Sequence, residues 1–221
     1  MCFGDMNSES NQNTCITRSV RPFFPGPLPV FGDRRRCRVG ILGGSFNPAH
    51  EGHRYISLQA LRRLRLDEVW WLVSPQNPLK GEVPDDLHLR AEGARRVSRH
   101  PRIRISTIES GLPTRFTAQT LKVLKRRFPC IRFIWLMGAD NLIQIPRWFQ
   151  WREIFQQVPV AVLDRGDYAG MALSGKAACV FAAYQVPEGR APKIVERAPP
   201  TWAFLRIRCH AASSTALRAR R

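Results

Sequence analysis

No stretch of the 221 residues approaches the ~20 uncharged apolar positions that a membrane-crossing helix needs. The first residues lack the basic start and following apolar run of a secretory leader. CxxC pairs are missing too: Cys2, Cys15, Cys37, Cys130, Cys179 and Cys209 are scattered along the chain. A chain of this length buries a core without staples, so these read as reduced thiols of a cytoplasmic protein. Carboxylates are scarce, with Asp+Glu 17 against Lys+Arg 35, which leaves a formal net charge of +18. Lysine is scarcer still: Lys80, Lys122, Lys125, Lys176 and Lys193 are all there are, so the remaining cations are Arg. Such an excess suits an anionic partner and is one footprint of nucleic-acid binding. The arginines nevertheless fall in small, separated clusters (Arg34 to Arg36, Arg62-Arg63, Arg95-Arg96, Arg220-Arg221), as a general bias toward Arg would leave them. Composition alone leaves the partner open.

What is present has a clear order. Residues 1–35 mix Ser, Asn, Gln and Thr, then run through Pro22, Pro25, Pro27 and Pro29 with Gly26 and Gly32. Without a periodic apolar face they read as a disordered extension. The domain proper is expected over 36–221, with a small C-terminal subdomain from about 165. Within it, short apolar runs alternate with longer amphipathic ones. The pattern predicts strands over 37–42, 69–73, 102–105, 131–137 and 158–163. Helices are predicted over 50–66, from Pro84-Asp85-Asp86 to about Arg99, over 117–128 and around 149–157. Strands apolar on both faces, joined by helical crossovers, imply an α/β fold: a doubly wound, Rossmann-like parallel sheet with helices on both faces. Ligands of such sheets bind beyond the carboxyl ends of the strands, which directs attention to the loops after Leu42, Val73 and Met137.

The first of these loops reads Gly43-Gly44-Ser45-Phe46-Asn47-Pro48-Ala49-His50-Glu51-Gly52-His53. Paired glycines after a strand let backbone approach a bulky anion. His50 and His53, three apart, share a helical face in a first turn, where free N–H groups and the dipole favour phosphate. Two imidazoles there can donate to a phosphate whose charge grows in a transition state. Either feature alone is more often an ordinary turn with surface histidines. The spacing is neither that of an HExxH zinc helix nor that of a GxGxxG dinucleotide loop.

That segment resembles the signature of the nucleotidyltransferase superfamily carrying an HxGH motif. Ser213-Ser214-Thr215-Ala216-Leu217-Arg218 resembles its ISSTxIR element, a hydroxyl-rich helix start with an Arg one turn on. Further segments are similar to bacterial nicotinate-nucleotide adenylyltransferases. Phe116-Thr117-Ala118-Gln119-Thr120-Leu121 is similar to YTxxTL, Gly138-Ala139-Asp140 to GxD, and Pro146 to Ile154 to PxWxxxxxI. The resemblance covers residues 37 to 218.

What it implies is transfer of AMP from ATP to nicotinate mononucleotide, giving nicotinate adenine dinucleotide and pyrophosphate. His50 and His53 would be the catalytic pair. Gly43, Gly44, Ser45, Phe46, Gly138 and Asp140 would line the ATP site, with Ser213, Ser214, Thr215 and Arg218 on its phosphates. Asn77 and Lys80 would take the acceptor phosphate, Thr117 backbone the nicotinate carboxylate, and Trp148 the ring through a cation–π contact. Trp135 and Trp151 read as packing. A Mg²⁺ ion held mostly by ATP and water is implied, and no protein metal cage. A homo-oligomer is left open.

The chain departs from the pattern at Phe116, where relatives carry Tyr, at Ala212 in place of Ile, and in stopping three residues after Arg218. None of these removes a catalytic group. Two other readings remain. One is a pantetheine-phosphate adenylyltransferase or cytidylyltransferase, which the Trp148 segment argues against because neither acceptor offers a ring to stack. The other is a basic nucleic-acid-binding module on a nucleotide fold, which the intact histidines and the SSTALR segment argue against.

Overall fold

In the computed structural model, which describes residues 35–75, 86–112, 116–164, 166 and 168–208, each of the five apolar runs forms a strand. They are β1 (Arg38–Gly44), β2 (Glu68–Val73), β3 (Ile103–Ser106), β4 (Arg132–Gly138) and β5 (Val160–Asp164). Two more follow that the pattern did not announce, β6 (Gln185–Val186) and β7 (Trp202–Arg206). The helices are α1 (Glu51–Arg63), α2 (Leu87–Ser98), α3 (Thr117–Arg127), α4 (Ala139–Gln144), α5 (Trp151–Gln157), α6 (Ala169–Leu173) and α7 (Lys176–Val180), with 3-10 segments at Ile108–Gly111 and Glu188–Glu196 among shorter ones.

The run Val69-Trp70-Trp71-Leu72-Val73 shows why the strands carry no polar face. Trp70 and Leu72 enter a core with Leu121 and Leu124 of α3, Phe128 just after it, and Ile154 and Phe155 of α5. Val69, Trp71 and Val73 enter the opposite core with Ile56 and Ala60 of α1 and Ala91 and Ala94 of α2. Side chains alternate across a strand, so a sheet covered on both sides needs apolar residues at every position.

All pairings are parallel, in the order β3-β2-β1-β4-β5-β7-β6. From β1 the chain winds outward to β3, then crosses to β4 on the other flank of β1 and winds the opposite way. The order therefore reverses between β1 and β4, the point beyond whose carboxyl ends such sheets bind their ligands. Residues after β5 return to this same sheet. There β7 pairs along β5, and Ala191, Ile194 and Val195 of the second 3-10 segment cover the α1–α2 face. Of the extension expected at 1–35, only Arg35 is described, and its guanidinium pairs with Glu68 at 3.0 Å.

Two boundaries differ from expectation in ways that matter. The strand continues through the glycine pair: Gly43 pairs with Leu72 and Gly44 with Val73, so these glycines end a strand and do not begin a loop. The first helix starts at Glu51, which leaves His50 outside it in extended conformation (φ −149°, ψ 167°). It ends at Arg63, because Arg65 turns into left-handed conformation (φ 51°) while Leu64 and Leu66 stay buried.

Candidate active site

Beyond β1 the chain turns sharply at Phe46, whose φ of 47° is unusual for an aromatic residue. Its ring is buried and stacks on Trp71 at 5.0 Å between centroids, with His53 4.8 Å away. Phe46 therefore packs, and only its main chain is left to offer a nucleotide. Gly43 leaves out a side chain for a reason of its own. A β-carbon there would lie 2.5 Å from Cη2 of Trp135, whose indole passes beneath β1.

The histidines form a reciprocal cap in place of a shared helical face. Nδ1 of His50 accepts from the Gly52 N–H at 3.1 Å, and Nδ1 of His53 accepts from the His50 N–H at 3.2 Å. Two donors at the helix start are thus satisfied by imidazoles, in the manner of a capping box. An Nδ1 that accepts carries no proton, so each neutral ring bears its N–H on Nε2. The rings lie 3.8 Å apart, and both donors belong to one helix end. A second chain of bonds fixes that end: Trp71 Nε1 donates to Ser57 Oγ at 2.7 Å, and Ser57 Oγ donates to the His53 carbonyl at 2.8 Å.

Across the switch point, β4 ends at Gly138, and a β-carbon there would collide with the Asp140 carboxylate. Asp140 sits in the first turn of α4, half-buried; the cap position itself belongs to Gly138.

The residues expected at the acceptor meet at a neighbouring corner. Thr117 opens α3, and the Phe116 ring just before it lies 4.4 Å from Phe149. That contact sets Thr117 beside the Trp148 segment. Trp148 is half-buried and packs edge-on against Trp135 (6.4 Å, 86°), so Trp135 separates Trp148 from Gly43. Trp135 and Trp151 are both buried. Among the described residues nothing accepts from the buried indole N–H of Trp135. Asn77, Lys80, Ser213, Ser214, Thr215 and Arg218 lie outside the described residues.

Two charged residues escaped the reading of the sequence. Arg90 of α2 is 4% exposed; its guanidinium donates to the carbonyls of Ser45 (2.7 Å), Ser74 (2.7 Å) and Pro75 (3.1 Å). A signal was there, since Arg90, Ala94 and Ser98 fall at helical spacing on the buried face of α2. Glu109 follows β3. Burial pushes its carboxyl above the usual carboxylate range, partly offset by hydrogen bonds from Thr120 and Ser74.

A parallel sheet with a histidine-capped helix at its switch point defines a nucleotide-binding α/β protein of the HxGH kind. Residues 41–220 match the cytidylyltransferase-like family. Three relatives, each described as a probable nicotinate-nucleotide adenylyltransferase, narrow the branch. That of Ruegeria sp. (strain TM1040) is 49% identical over 183 residues, covering 82% of this chain and 96% of the relative. That of Bradyrhizobium sp. (strain BTAi1) is 50% identical over 82% and 95%, and that of Methylorubrum extorquens 50% over 83% and 100%. The chain belongs to the cytidylyltransferase-like nucleotidyltransferases, in the group of these adenylyltransferases. The fold is also that of the Plasmodium falciparum nicotinic acid mononucleotide adenylyltransferase solved with NaAD, at TM-score 0.62, 17% identity and 83% of each chain. Among the described residues no helix is long and apolar enough to cross a membrane.

Proposed function

We propose that the chain is a nicotinate-nucleotide adenylyltransferase: ATP and nicotinate mononucleotide give nicotinate adenine dinucleotide and pyrophosphate. The observation that supports the transfer chemistry is the reciprocal His50–His53 cap, which gathers two imidazoles at one helix start beside the end of β1, while the choice of acceptor is supported by the relatives at 49–50% identity. An oxygen of the mononucleotide phosphate attacks the α-phosphorus in line. The bond from that phosphorus to the bridging oxygen breaks, and pyrophosphate leaves with the oxygen and its electron pair. No protein nucleophile is needed, so catalysis rests on alignment and on charge stabilisation. His50 and His53 donate to the phosphates as charge develops.

Main-chain atoms at Gly43, Gly44, Ser45 and Phe46, with Gly138 and Asp140 across the switch point, hold ATP. Ser213, Ser214, Thr215 and Arg218 are assigned to its β- and γ-phosphates. Trp148 takes the pyridinium ring, Thr117 backbone its carboxylate, and Asn77 and Lys80 the acceptor phosphate. A Mg²⁺ ion arriving with ATP would supply charge neutralisation on the phosphates. The donors at the α1 start are N–H groups that suit phosphate oxygens and not a cation, so the ion would be held mostly by ATP and water. Catalysis is placed in the cytoplasm, with ATP and the mononucleotide as partners.

The test is pyrophosphate release with ATP and, in parallel, nicotinate mononucleotide, nicotinamide mononucleotide and phosphopantetheine. Turnover with the first far above the others is expected. Preference for phosphopantetheine would overturn the assignment.

A further inference from the structure

The donor and acceptor corners stand on different crossovers of the sheet, yet one chain of hydrogen bonds joins them. It begins at the Ser45 carbonyl, one residue past the glycine pair, which accepts from Arg90. The same guanidinium reaches the carbonyls of Ser74 and Pro75 beyond β2. Ser74 is also tied to β1, since its N–H donates to the Gly44 carbonyl at 3.0 Å. Its side chain bonds to Glu109, which follows β3. Glu109 in turn accepts from Thr120 Oγ1 at 2.9 Å, in the first turn of α3, three residues after Thr117.

We propose that Arg90, Ser74, Glu109 and Thr120 are positioning residues that set the start of the acceptor helix against the ATP loop. This rests on the adenylyltransferase reading given above. None of the four is assigned a contact with substrate; they act through Ser45 and Thr117. Three carbonyls from two loops demand a planar fork of several donors. Arginine supplies it, while the ammonium of lysine has three donors at one point. Burying a guanidinium is costly unless its hydrogen bonds are made. Here they are made to main-chain oxygens of the two loops that follow β1 and β2, the first of which carries the residues assigned to ATP. Arg104, the other buried arginine among the described residues, makes the contrast: it pairs with Glu68 (2.9 Å) at the start of β2, and no site residue is assigned there.

The experiment compares wild-type protein, Arg90→Lys, Thr120→Val, the double variant and Arg104→Lys by pyrophosphate release, with KM and kcat measured separately for ATP and nicotinate mononucleotide. Wild-type turnover judges the adenylyltransferase reading by itself; its absence would end that reading whatever the variants do. Given turnover, Arg90→Lys is expected to lower kcat by about 10²-fold, the scale of an ångström-sized misplacement, with KM for ATP within about threefold. Thr120→Val is expected to lower kcat by about tenfold, and the double variant to lose less than the product, because both act along one path. Arg104→Lys is expected to lower the melting temperature and leave kcat within about twofold. If Arg90→Lys fails to fold, Thr120→Val decides. The proposal is overturned if Thr120→Val keeps wild-type kcat, if the two losses simply multiply, or if Arg104→Lys loses as much kcat as Arg90→Lys at equal loss of melting temperature.

Discussion

At the scale of single residues, the histidine pair does two jobs with its two kinds of ring nitrogen. Each Nδ1 closes a helix cap and each Nε2 is left carrying the proton. His53→Ala removes the acceptor for the His50 N–H and, on the function proposed above, a phosphate donor as well. Turnover is expected to fall by ~10²–10³, the scale of one transition-state donor. Stability should fall by only ~1 kcal/mol, the scale of a lost cap. Steady-state kinetics beside urea unfolding would read both; turnover near wild type would remove the pair from the mechanism. Gly43 supports a second expectation. A methyl group there meets the rigid Trp135 ring, so Gly43→Ala should destabilise by about 1–3 kcal/mol, as overpacking does. In a Trp135→Leu background the same change should cost markedly less. Equal costs in both backgrounds, read by urea unfolding, would show that Trp135 is not what Gly43 makes room for.

At the scale of elements, Glu109 links β3 to α3 with a carboxyl that burial pushes upward. A carboxyl raised in the folded state holds more protons folded than unfolded between the two values, so stability there falls as pH rises. The contribution is fully present below the ordinary carboxylate value and lost as pH climbs through the raised one. Glu109→Gln removes that titration. The melting-temperature difference, variant minus wild type, should therefore grow from mildly acidic pH toward neutrality; a difference that shrinks would reverse the sign argued here. Strands and crossovers were readable from apolar runs such as Val69 to Val73, because burial on both faces leaves no polar position to confuse the period. What could not be read depended on contacts distant in sequence. The glycine pair belongs to β1 only because Leu72 and Val73 lie beside it, and His50 leaves α1 because its side chain caps it. Arg90 resembles the many other arginines by composition, and only its partners Ser45 and Ser74 distinguish it. Gln185–Val186 is too short to show any period, and it lies next to β7 only through the fold.

At the scale of the molecule, the charge of +18 is not an attribute of the first residues, since 1–38 hold six Arg against three acids. Among the described residues Arg62, Arg65, Arg95, Arg96 and Arg99 are exposed, and none is assigned to the site. A field of this sign attracts both anionic substrates. Raising ionic strength from low values to about 0.1 M, where screening acts beyond about 10 Å, should lower kcat/KM and leave kcat nearly unchanged. Stopped assays over a salt series check this; a salt-independent kcat/KM would mean the surplus does not steer substrates.

The strand order has one more consequence. Among the described residues the seven-stranded open sheet has two borders where main-chain groups lack a neighbouring strand, and they fall to its two shortest strands, β3 with four residues and β6 with two. Borders so brief give a second copy little template for strand addition, the usual route to aggregation of open sheets. The long apolar strands, which would template it best, are all interior.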